Sequence, residues 1–377
     1  MASGRCEWID DPARFSELEE RWEALVDNDP LPFSRHAWFA AWWKAFGAGR
    51  RLSICALWRE GELAAVLPLW RRGRRLEAMA NVHTPVFAPL ARDAEALEVL
   101  LDEVLRVARA ELALSAVPVE WPTLCALRSA AARAGRVCHE EPQHTSPIVE
   151  TVGSYAAYRS KMKSRWSSSE RKARKMAREH DARFDLVSVP TALDEQLARG
   201  LRVEGSGWKG RKGTAIQSSA DTLTFYRSIA TSFARRGELR LSEIALDGEP
   251  VAFDLCLLSG ARLYLLKTGY DESRHTLSPG LVLRQMVVER CFELGLEAHE
   301  LLGDDSEWKR RFATGSRAQT SLRTYERRPV PLARYAYRRL ARPVLQRGYR
   351  ALRERSDGAR ASGAPARGAW GEASSLP

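Results

Sequence analysis

Arg-Glu-Gly-Glu-Leu-Ala-Ala-Val at residues 59–66 and Leu-Asp-Gly-Glu-Pro-Val-Ala-Phe at residues 246–253 decide the fold, because they are two copies of one short pattern. In each copy an acidic residue followed by glycine separates two apolar runs. Such a pair supplies the positive φ angles of a tight hairpin turn. Two copies 187 residues apart, each with a flanking alanine, predict a duplicated α/β fold with mixed sheets covered by helices.

Only the second copy continues into a third strand, a loop ending Ser278-Pro279-Gly280 and an apolar helix from Leu281. Unpaired amides and the dipole at such a helix start suit an anion. The corresponding loop of the first half, His83 to Leu90, holds prolines and no glycine. The sequence therefore predicts one working site, in the second half, and no cofactor in the first.

Hydrophobic periodicity predicts the remaining elements. In the first half it predicts helices at 12–26, 36–46, 93–110 and 124–134, and strands at 52–58, 63–70, 74–79 and 117–120. A basic helical stretch at 154–180 joins the halves. In the second half the predicted helices are 191–204, 221–236, 280–294 and 306–313, and the predicted strands are 238–246, 250–258, 262–269, 297–302 and 319–326. From Pro329 the chain is predicted to be helical and broken at Pro343.

Composition excludes several classes of protein. The chain has 377 residues and six cysteines, with no C-x-x-C pair and no histidine at ligand spacing, so we expect reduced thiols and neither zinc nor disulfides. No Ser-His-Asp set or dinucleotide-binding fingerprint is present. The N-terminus lacks an apolar signal segment and no apolar run has membrane-spanning length. We therefore expect a soluble, cytoplasmic protein.

The net charge of +11 is concentrated in two segments. Residues 159–183 carry ten cations against three acids, and residues 327–360 carry eleven arginines against two acids. The first segment suits a solvated helix face, or phosphate groups of a tRNA or of a lipid-linked saccharide carrier. The second interleaves arginine with leucine and tyrosine, which fits a helix at the inner face of the membrane or one that packs on its own domain.

Four ordered motifs carry a resemblance to a known family: EGSGWKGRKGTAI (204–216), RGELRLSEIALDGEPVAFDL (236–255), LKTGYDESRHTLSPGLVL (266–283) and ELLGDDSEWKRRFATG (300–315). The second half resembles a GNAT acyltransferase, and in particular the CelD/BcsL type of acetyltransferase of cellulose and exopolysaccharide biosynthesis. The first half resembles it more loosely, through its Trp-rich helix and hairpin. The fold implied is two tandem GNAT-like halves.

The resemblance implies an acetyl-CoA or other acyl-CoA-dependent N- or O-acyltransferase that modifies a saccharide or polysaccharide precursor. Two alternatives remain open. The FemAB type also has two GNAT-like halves and transfers amino acids from aminoacyl-tRNA to cell-wall precursors, which is the one case in which we expect nucleic acid as a partner. A non-catalytic accessory protein of a polysaccharide synthase is the other.

The implied domains are a degenerate half at 1–150 and an acyltransferase domain at 151–328, followed by an Arg-rich helical tail at 329–355 and a disordered tail at 356–377. The implied cofactor loop places Arg274, Ser278, Gly280 and Leu281 at the pyrophosphate of coenzyme A. That loop has one glycine where the family pattern has two, and Ser-Pro-Gly also suits a simple helix cap.

Acyl transfer needs a base, a donor for the oxyanion and a proton for the leaving thiolate. The candidate catalytic residues are Glu204, Tyr270 and Asp271, of which the two acids equally suit surface caps. Candidate acceptor-binding residues combine aromatic faces, cations and an acid, as a sugar requires: Trp208, Lys209, Asp304 and Lys309. The alternative is that each tryptophan packs in the core while its lysine reaches solvent, and that Asp304 and its neighbour Asp305 cap the next helix.

Overall fold

A computed structural model describes residues 4–26 and 31–345, without side-chain detail at 163–165. The first half begins with strand β1 (Arg5–Ile9) and three helices, α1 (Pro12–Glu17), α2 (Glu19–Val26) and α3 (His36–Phe46). Strands β2 (Arg51–Leu52), β3 (Ile54–Arg59), β4 (Glu62–Leu67), β5 (Leu69–Arg72), β6 (Arg75–Ala78) and β7 (Leu90–Ala91) follow. The half ends with α4 (Ala94–Val107), β8 (Glu111–Pro118), α5 (Pro122–Arg133) and β9 (Val137–Glu150).

The second half begins with the long basic helix α6 (Tyr155–Glu179). After it come β10 (Ala182–Ser188), α7 (Leu193–Ser206), α8 (Trp208–Arg211) and α9 (Ala220–Arg235). Three long strands follow, β11 (Leu239–Leu246), β12 (Glu249–Ser259) and β13 (Arg262–Tyr270). The half closes with α10 (Pro279–Glu293), β14 (Ala298–Glu300), α11 (Glu307–Arg310), β15 (Gly315–Tyr325) and α12 (Pro329–Ala336).

The two acidic-glycine hairpins form as predicted. Glu60 and Gly61 have φ of 53° and 81°, and Asp247 and Gly248 have φ of 54° and 84°. Positive φ at both central residues defines the type I′ turn that matches the twist of paired strands. The first turn joins β3 to β4 in a four-stranded antiparallel sheet of order β1-β3-β4-β7, and the second joins β11 to β12.

The second hairpin belongs to an eleven-stranded sheet that runs through both halves, in the order β10-β11-β12-β13-β14-β9-β15-β8-β6-β5-β2. All its pairs are antiparallel except β13–β14 and β6–β8. Each parallel pair needs a crossover helix, which is α10 in the second half and α4 in the first. The predicted boundary at residue 150 falls at the end of β9, which pairs with β14 and β15 of the second half.

Two hydrophobic cores lie on the two sides of this sheet. One is dominated by aromatic residues of the first half, including Trp22, Trp38 and Trp42, and extends to Phe225 and Phe253 of the second half. The other packs α6 and α10 against β11–β14, with Trp166 and Val287 at its centre. Residues of both halves therefore share the first core, which holds the two halves together.

Several sequence predictions are wrong in the first half and the tail. The predicted helix 12–26 is interrupted at Leu18, the strand 63–70 is interrupted at Pro68, and β1, β7, β9 and, in the second half, β10 were not predicted. The chain stays helical through Pro343, where a break was expected. A π turn at Tyr337–Ala341 precedes this proline and accommodates its ring, which would collide with the carbonyl four residues earlier in a regular α-helix.

The remainder of the predicted Arg-rich helix and the predicted disordered tail at 356–377 lie outside the described residues. None of the described helices has the length and hydropathy needed to cross a bilayer. All six cysteines are free thiols, and Cys55, Cys256 and Cys291 are buried core residues as predicted, whereas Cys125 is exposed.

Candidate active site

The central feature of the second half is an opening between β13 and β14. Their parallel pairing covers Arg262–Ala298 to Tyr264–Glu300, although β13 continues to Tyr270. Two lysines donate hydrogen bonds to backbone carbonyls, one on each arm of this opening. Lys209 donates from Nζ to the oxygen of Thr268 at 2.6 Å, on the β13 arm. Lys309 donates to the oxygens of Leu302 and Asp304, on the β14 arm, the latter at 3.0 Å.

Glycines let helix α7 lie against the sheet and bring Glu204 to this opening. A Cβ at Gly200 would lie 2.2 Å from the Phe253 ring, and a Cβ at Gly269 would lie 2.5 Å from the Cα of Glu204. Glu204 is 2% exposed, and its Oε2 accepts from the Ile216 amide at 2.9 Å. Its Oε1 lies 3.4 Å from Lys209 Nζ. Gly200 and Gly269 therefore allow the close packing that fixes a buried carboxylate beside a lysine.

Burial changes the acid-base properties of both lysines. Desolvation lowers the pKa of Lys209, opposed by the neighbouring Glu204 carboxylate. Desolvation also lowers the pKa of Lys309 to about 8, opposed by Asp304 and reinforced by the charges of Arg284 and Lys209. Because the buried ammonium of Lys309 loses hydration, its neutral amine becomes accessible near physiological pH. Lys309 can therefore give or take a proton there.

The turn that presents Lys309 has an unusual backbone. Leu302 and Gly303 have φ of 47° and 57°, and Leu302 is buried. Positive φ in a branched, buried leucine is uncommon and is retained where the surrounding structure enforces it. Here the paired left-handed residues turn the chain out of β14 so that the Leu302 carbonyl meets Lys309. Strand β9 supports the same turn, because Ser146 donates to the Gly303 oxygen at 3.1 Å.

A fully buried charged group lies behind the opening. Asp254 of β12 and Arg284 of α10 form an ion pair of 2.7 Å, with exposures of 0% and 1%. Arg284 Nη1 also donates to His299 Nε2 at 2.6 Å, while His299 Nδ1 donates to the Leu263 oxygen, partners that assign the neutral tautomer. Burial lowers the pKa of His299 to about 3, so the ring stays neutral. The Arg284 guanidinium lies 5.8 Å from the Trp308 ring centre and thereby connects this group to α11.

A second polar group faces the first half. Lys267 lies 5.0 Å from the centre of the Tyr226 ring, and burial lowers the pKa of Lys267, opposed by Glu204. Tyr226 is itself close to His83, a residue of the first-half loop, at 3.4 Å. Burial lowers the pKa of His83 to about 4, and the charge of Lys267 acts in the same direction. Ionisable groups therefore extend from Glu204 at the opening, through Lys267, to His83 at the contact between the halves.

The candidate cofactor loop directly follows the C-terminal end of β13. Asp271 caps the short helical turn Glu272–Leu277, accepting from the Ser273 amide at 2.9 Å. Ser278 then adopts a left-handed conformation with φ of 47° and begins α10. Its side chain makes no capping bond to an α10 amide, and its Oγ accepts from Lys172 of α6 at 2.5 Å. The helix start thus carries an added cation.

The sequence-predicted residues divide between these two places. Glu204, Lys209, Lys309 and Asp304 lie at the opening, and Tyr270, Asp271, Arg274, Ser278, Gly280 and Leu281 lie at the loop and the start of α10. A Cβ at Gly280 would lie 3.0 Å from the Tyr270 ring, so close ring packing also accounts for this glycine, and its place at the pyrophosphate stays a prediction. Asp271 is a cap, as its alternative interpretation stated.

The two Trp-Lys pairs are not equivalent, which corrects the expectation of a repeated aromatic-cation unit. Lys309 lies 5.6 Å from the Trp308 ring centre, whereas the cation near Trp208 is Lys212, at 5.7 Å. Trp208 is 45% exposed while Lys209 turns inward. The expectation that Asp304 or Asp305 caps α11 is also wrong, because its N-cap is Ser306.

Sequence reasoning missed Asp254, Arg284, His299, Lys267 and Lys172. An aspartate inside the apolar run Phe253 to Leu258 and an arginine inside the apolar helix from Leu281 were the available signals, because a buried charge requires a partner. No such signal marked Lys172, which is one of many cations in α6. Within residues 4–26 and 31–345, no group of three His, Cys, Asp or Glu side chains could hold a metal ion.

Comparison with known proteins agrees with this geometry. Residues 163–310 match the family model of the Acetyltransferase (GNAT) domain, which spans α6 to α11 and includes the whole opening. No curated protein matches the sequence. Solved structures of the same fold include the C-terminal domain of a putative lysylphosphatidylglycerol synthetase from Agrobacterium fabrum, with a TM-score of 0.54 and 15% identity over 85% of this chain and 94% of that chain.

Two further structures are similar over most of the chain. L-PGS from Bacillus licheniformis has a TM-score of 0.52 and 14% identity, covering 88% of this chain and 97% of that chain. FemX has a TM-score of 0.53 and 12% identity, covering 80% of this chain and 95% of that chain. At these identities the likeness concerns the fold. The chain has the GNAT fold in two tandem halves, as its sequence predicted.

Proposed function

We propose that the protein is an acyltransferase that moves an acyl group from acyl-CoA to an amine or hydroxyl at the opening between β13 and β14. The observation that carries this proposal is the pair of partly desolvated lysines on the two arms of the opening, Lys209 and Lys309. They lie beside the unpaired C-terminal end of β13, which leads through the loop to the helix start of α10. A donor with its phosphates at α10 would therefore extend along β13 toward both lysines.

The two crossover helices differ in a way that favours the second half for the phosphates. The start of α4 is already occupied by the carboxylate of Asp93, which accepts from the Ala96 amide at 2.7 Å and lies 3.7 Å from Arg59. The start of α10 has no such carboxylate, and Lys172 is placed beside it. Because helix starts attract anions, the free one is the better pyrophosphate site.

The residues at the opening supply what a direct transfer needs. The acceptor's nitrogen or oxygen forms a bond to the acyl carbon, the carbon–sulfur bond breaks, and the acceptor's proton is transferred so that the thiol leaves neutral. Ammonium groups of Lys209 and Lys309 stabilise the negative charge that develops on the carbonyl oxygen. Lys309, with a pKa of about 8, is suited to deliver the proton to the sulfur. Glu204, 3.4 Å from Lys209 Nζ, favours the charged form of Lys209 against the desolvation that lowers its pKa.

The acceptor side of the proposal rests on Trp308 and the polar rim formed by His144 and Asp304. His144 Nδ1 lies 3.8 Å from Asp304 Oδ1, and burial lowers the pKa of His144, so the ring remains a neutral hydrogen-bonding group. An aromatic face with hydroxyl-binding groups suits a sugar ring. The resemblance to the CelD/BcsL type supports the same choice, an acetylated saccharide of cellulose or exopolysaccharide synthesis.

Calorimetric titration with acetyl-CoA tests the donor assignment. Lys172→Met is expected to weaken binding about tenfold or more, because a charged hydrogen bond to phosphate contributes about 1.5–3 kcal/mol. Lys161→Met, an exposed lysine on the same helix, is the matched control and is expected to leave the affinity unchanged. Equal affinity of both variants for acetyl-CoA would mean that the phosphates do not bind at the start of α10.

A second candidate donor is aminoacyl-tRNA, and one observation favours it. Four cations of α6, Arg171, Arg174, Lys175 and Arg178, are exposed on the helix that contacts the candidate loop. The names of two similar structures, a lysylphosphatidylglycerol synthetase domain and FemX, point in the same direction. Titration with bulk aminoacylated tRNA in place of acetyl-CoA separates the two donors, because a tRNA complex would weaken steeply as salt rises.

A further inference from the structure

The helical segment at 329–345 presents apolar side chains to solvent. Val330, Tyr337, Leu340 and Val344 have exposures of 64%, 54%, 66% and 61%. Residues three, four or seven apart share a helix face, so these side chains form one stripe, here called the outer face. Surface helices of soluble proteins normally bury their apolar stripe. An outward apolar stripe of this length marks a contact surface.

The opposite side of the segment is held on the sheet by specific contacts. Pro331 is buried, and the Tyr335 ring lies 5.8 Å from that of Tyr325. Arg342 forms an ion pair with Glu141 of β9 at 2.8 Å. These contacts determine which side of the helical segment faces the sheet. Arg342 is paired with Glu141 and is therefore not available to a partner.

Charge around the outer face favours one kind of partner. Residues 327–345 contain six arginines and no acid, and three of them, Arg327, Arg328 and Arg339, are exposed. Arg327 also borders an open cleft of about 460 Å³ that is lined by four further arginines and two acids, Arg106, Arg109, Arg133, Arg136, Asp102 and Glu326. An apolar stripe with a cationic surround matches an anionic bilayer surface, where apolar groups enter the acyl boundary and arginines meet headgroups. Two copies of this chain paired through the same face would bring their arginines together, which disfavours self-association.

We propose that the outer face docks the protein on an anionic lipid surface, with Val330, Tyr337, Leu340 and Val344 inserted and the exposed arginines at headgroup level. The inserted residues carry binding, and the charges select anionic lipid. The helix lies in the plane of the interface, which places the part of the sheet formed by β9 and β15 next to the membrane.

Co-sedimentation with vesicles tests this docking, using the full chain and phosphatidylglycerol–phosphatidylcholine or pure phosphatidylcholine vesicles. The double variant Leu340→Glu with Val344→Glu is expected to lower the affinity for the anionic vesicles at least about tenfold. The matched control is Leu294→Glu with Val152→Glu, the same changes at exposed positions of other elements, and it is expected to bind like the wild type. Acetyl-CoA titration of each variant should be unchanged, which separates this proposal from the proposed function.

Three results would overturn the docking proposal. The first is a wild-type chain that does not sediment with anionic vesicles, and the second is an outer-face variant that sediments as well as the wild type. The third is a lipid-free wild-type dimer, measured by light scattering, that the outer-face variant converts to a monomer. That outcome would assign the outer face to a second copy of the chain.

Discussion

Lys309 is the residue on which the proposed chemistry depends most. It has backbone acceptors on the β14 arm, a ring neighbour in Trp308 and a pKa lowered to about 8. Replacement by methionine keeps the aliphatic stem and removes the ammonium. We expect Lys309→Met to lower turnover about 100-fold, the usual cost of a general acid or oxyanion donor, with the acetyl-CoA affinity unchanged. Lys212→Met, next to the exposed Trp208, is the control and should keep full turnover.

The same residue gives a pH dependence with a definite sign. Desolvation lowers the folded-state pKa of Lys309 from the ordinary 10.5 to about 8, so the unfolded chain binds more protons between these values. The contribution of Lys309 to stability is therefore unfavourable below pH 8 and becomes less so as pH rises toward 10.5. Urea unfolding at pH 7 and pH 10 is expected to show a rise in the wild type that is smaller in Lys309→Met. An identical rise in both would mean that Lys309 titrates normally.

Arg284 and Asp254 give a stability prediction at the same scale. Arg284→Met leaves the Asp254 carboxylate buried without its partner, which costs about 3–5 kcal/mol of unfolding free energy. The double variant Arg284→Met with Asp254→Leu removes both charges and is expected to recover most of the loss. Arg290→Met on the same helix breaks an exposed pair with Glu293 and should cost about 0–1 kcal/mol. Chemical denaturation measures all three, and a double variant as unstable as the single one would contradict the account.

At the scale of the element, helix α7 shows how packing places the site. Two of its glycines offer a matched comparison. Gly200→Ala would drive a Cβ into the Phe253 ring and is expected to cost about 1–3 kcal/mol. Gly205→Ala meets its nearest atom at 3.7 Å and should stabilise the helix by about 0.5–1 kcal/mol. Thermal unfolding distinguishes them, and equal effects would mean that α7 does not lie against β12 as described.

Local patterns predicted the second half of the fold closely. The elements α7, α9, β11, β12, β13 and α10 begin and end within a few residues of their predicted bounds, because each combines clear periodicity with a turn or cap signal, whereas α8 was not predicted. Strand β9 was missed since its residues 137–150 are mostly polar, half-exposed and interrupted by Pro142 and Pro147. Its strand conformation depends on pairing with β15 and β14, which are distant in sequence. Such pairing leaves no local signal.

The site was partly predictable, because some of its residues lie in segments with a local sequence signal and others do not. Glu204, Lys209 and Lys309 were found because the glycine-rich and Trp-Lys segments are unusual in sequence. Their directions were not predictable, because only the end of the β13–β14 pairing shows which carbonyls are free to accept from a lysine. The contribution of Lys172 likewise arises from the docking of α6 beside α10, a contact between segments more than 100 residues apart.

At the scale of the whole molecule, the two halves share a sheet and differ in their helix starts. Each half has a parallel strand pair joined by a crossover helix, yet only α10 lacks a carboxylate at its start. The duplicated plan therefore supports one donor site. The first half surrounds that site with β9, β8 and the His83 loop. Strands β9 and β8 pair with the two sides of β15.

The central claim is that a donor binds along β13 with its phosphates at α10. Hydrogen–deuterium exchange with and without about 1 mM acetyl-CoA, at the upper end of usual KM values, tests it directly. The account predicts slower exchange at residues 265–283, which cover the free edge of β13, the loop and the first turn of α10, and unchanged exchange at residues 91–97. Unchanged exchange at 265–283, or protection at the start of α4 instead, would contradict it.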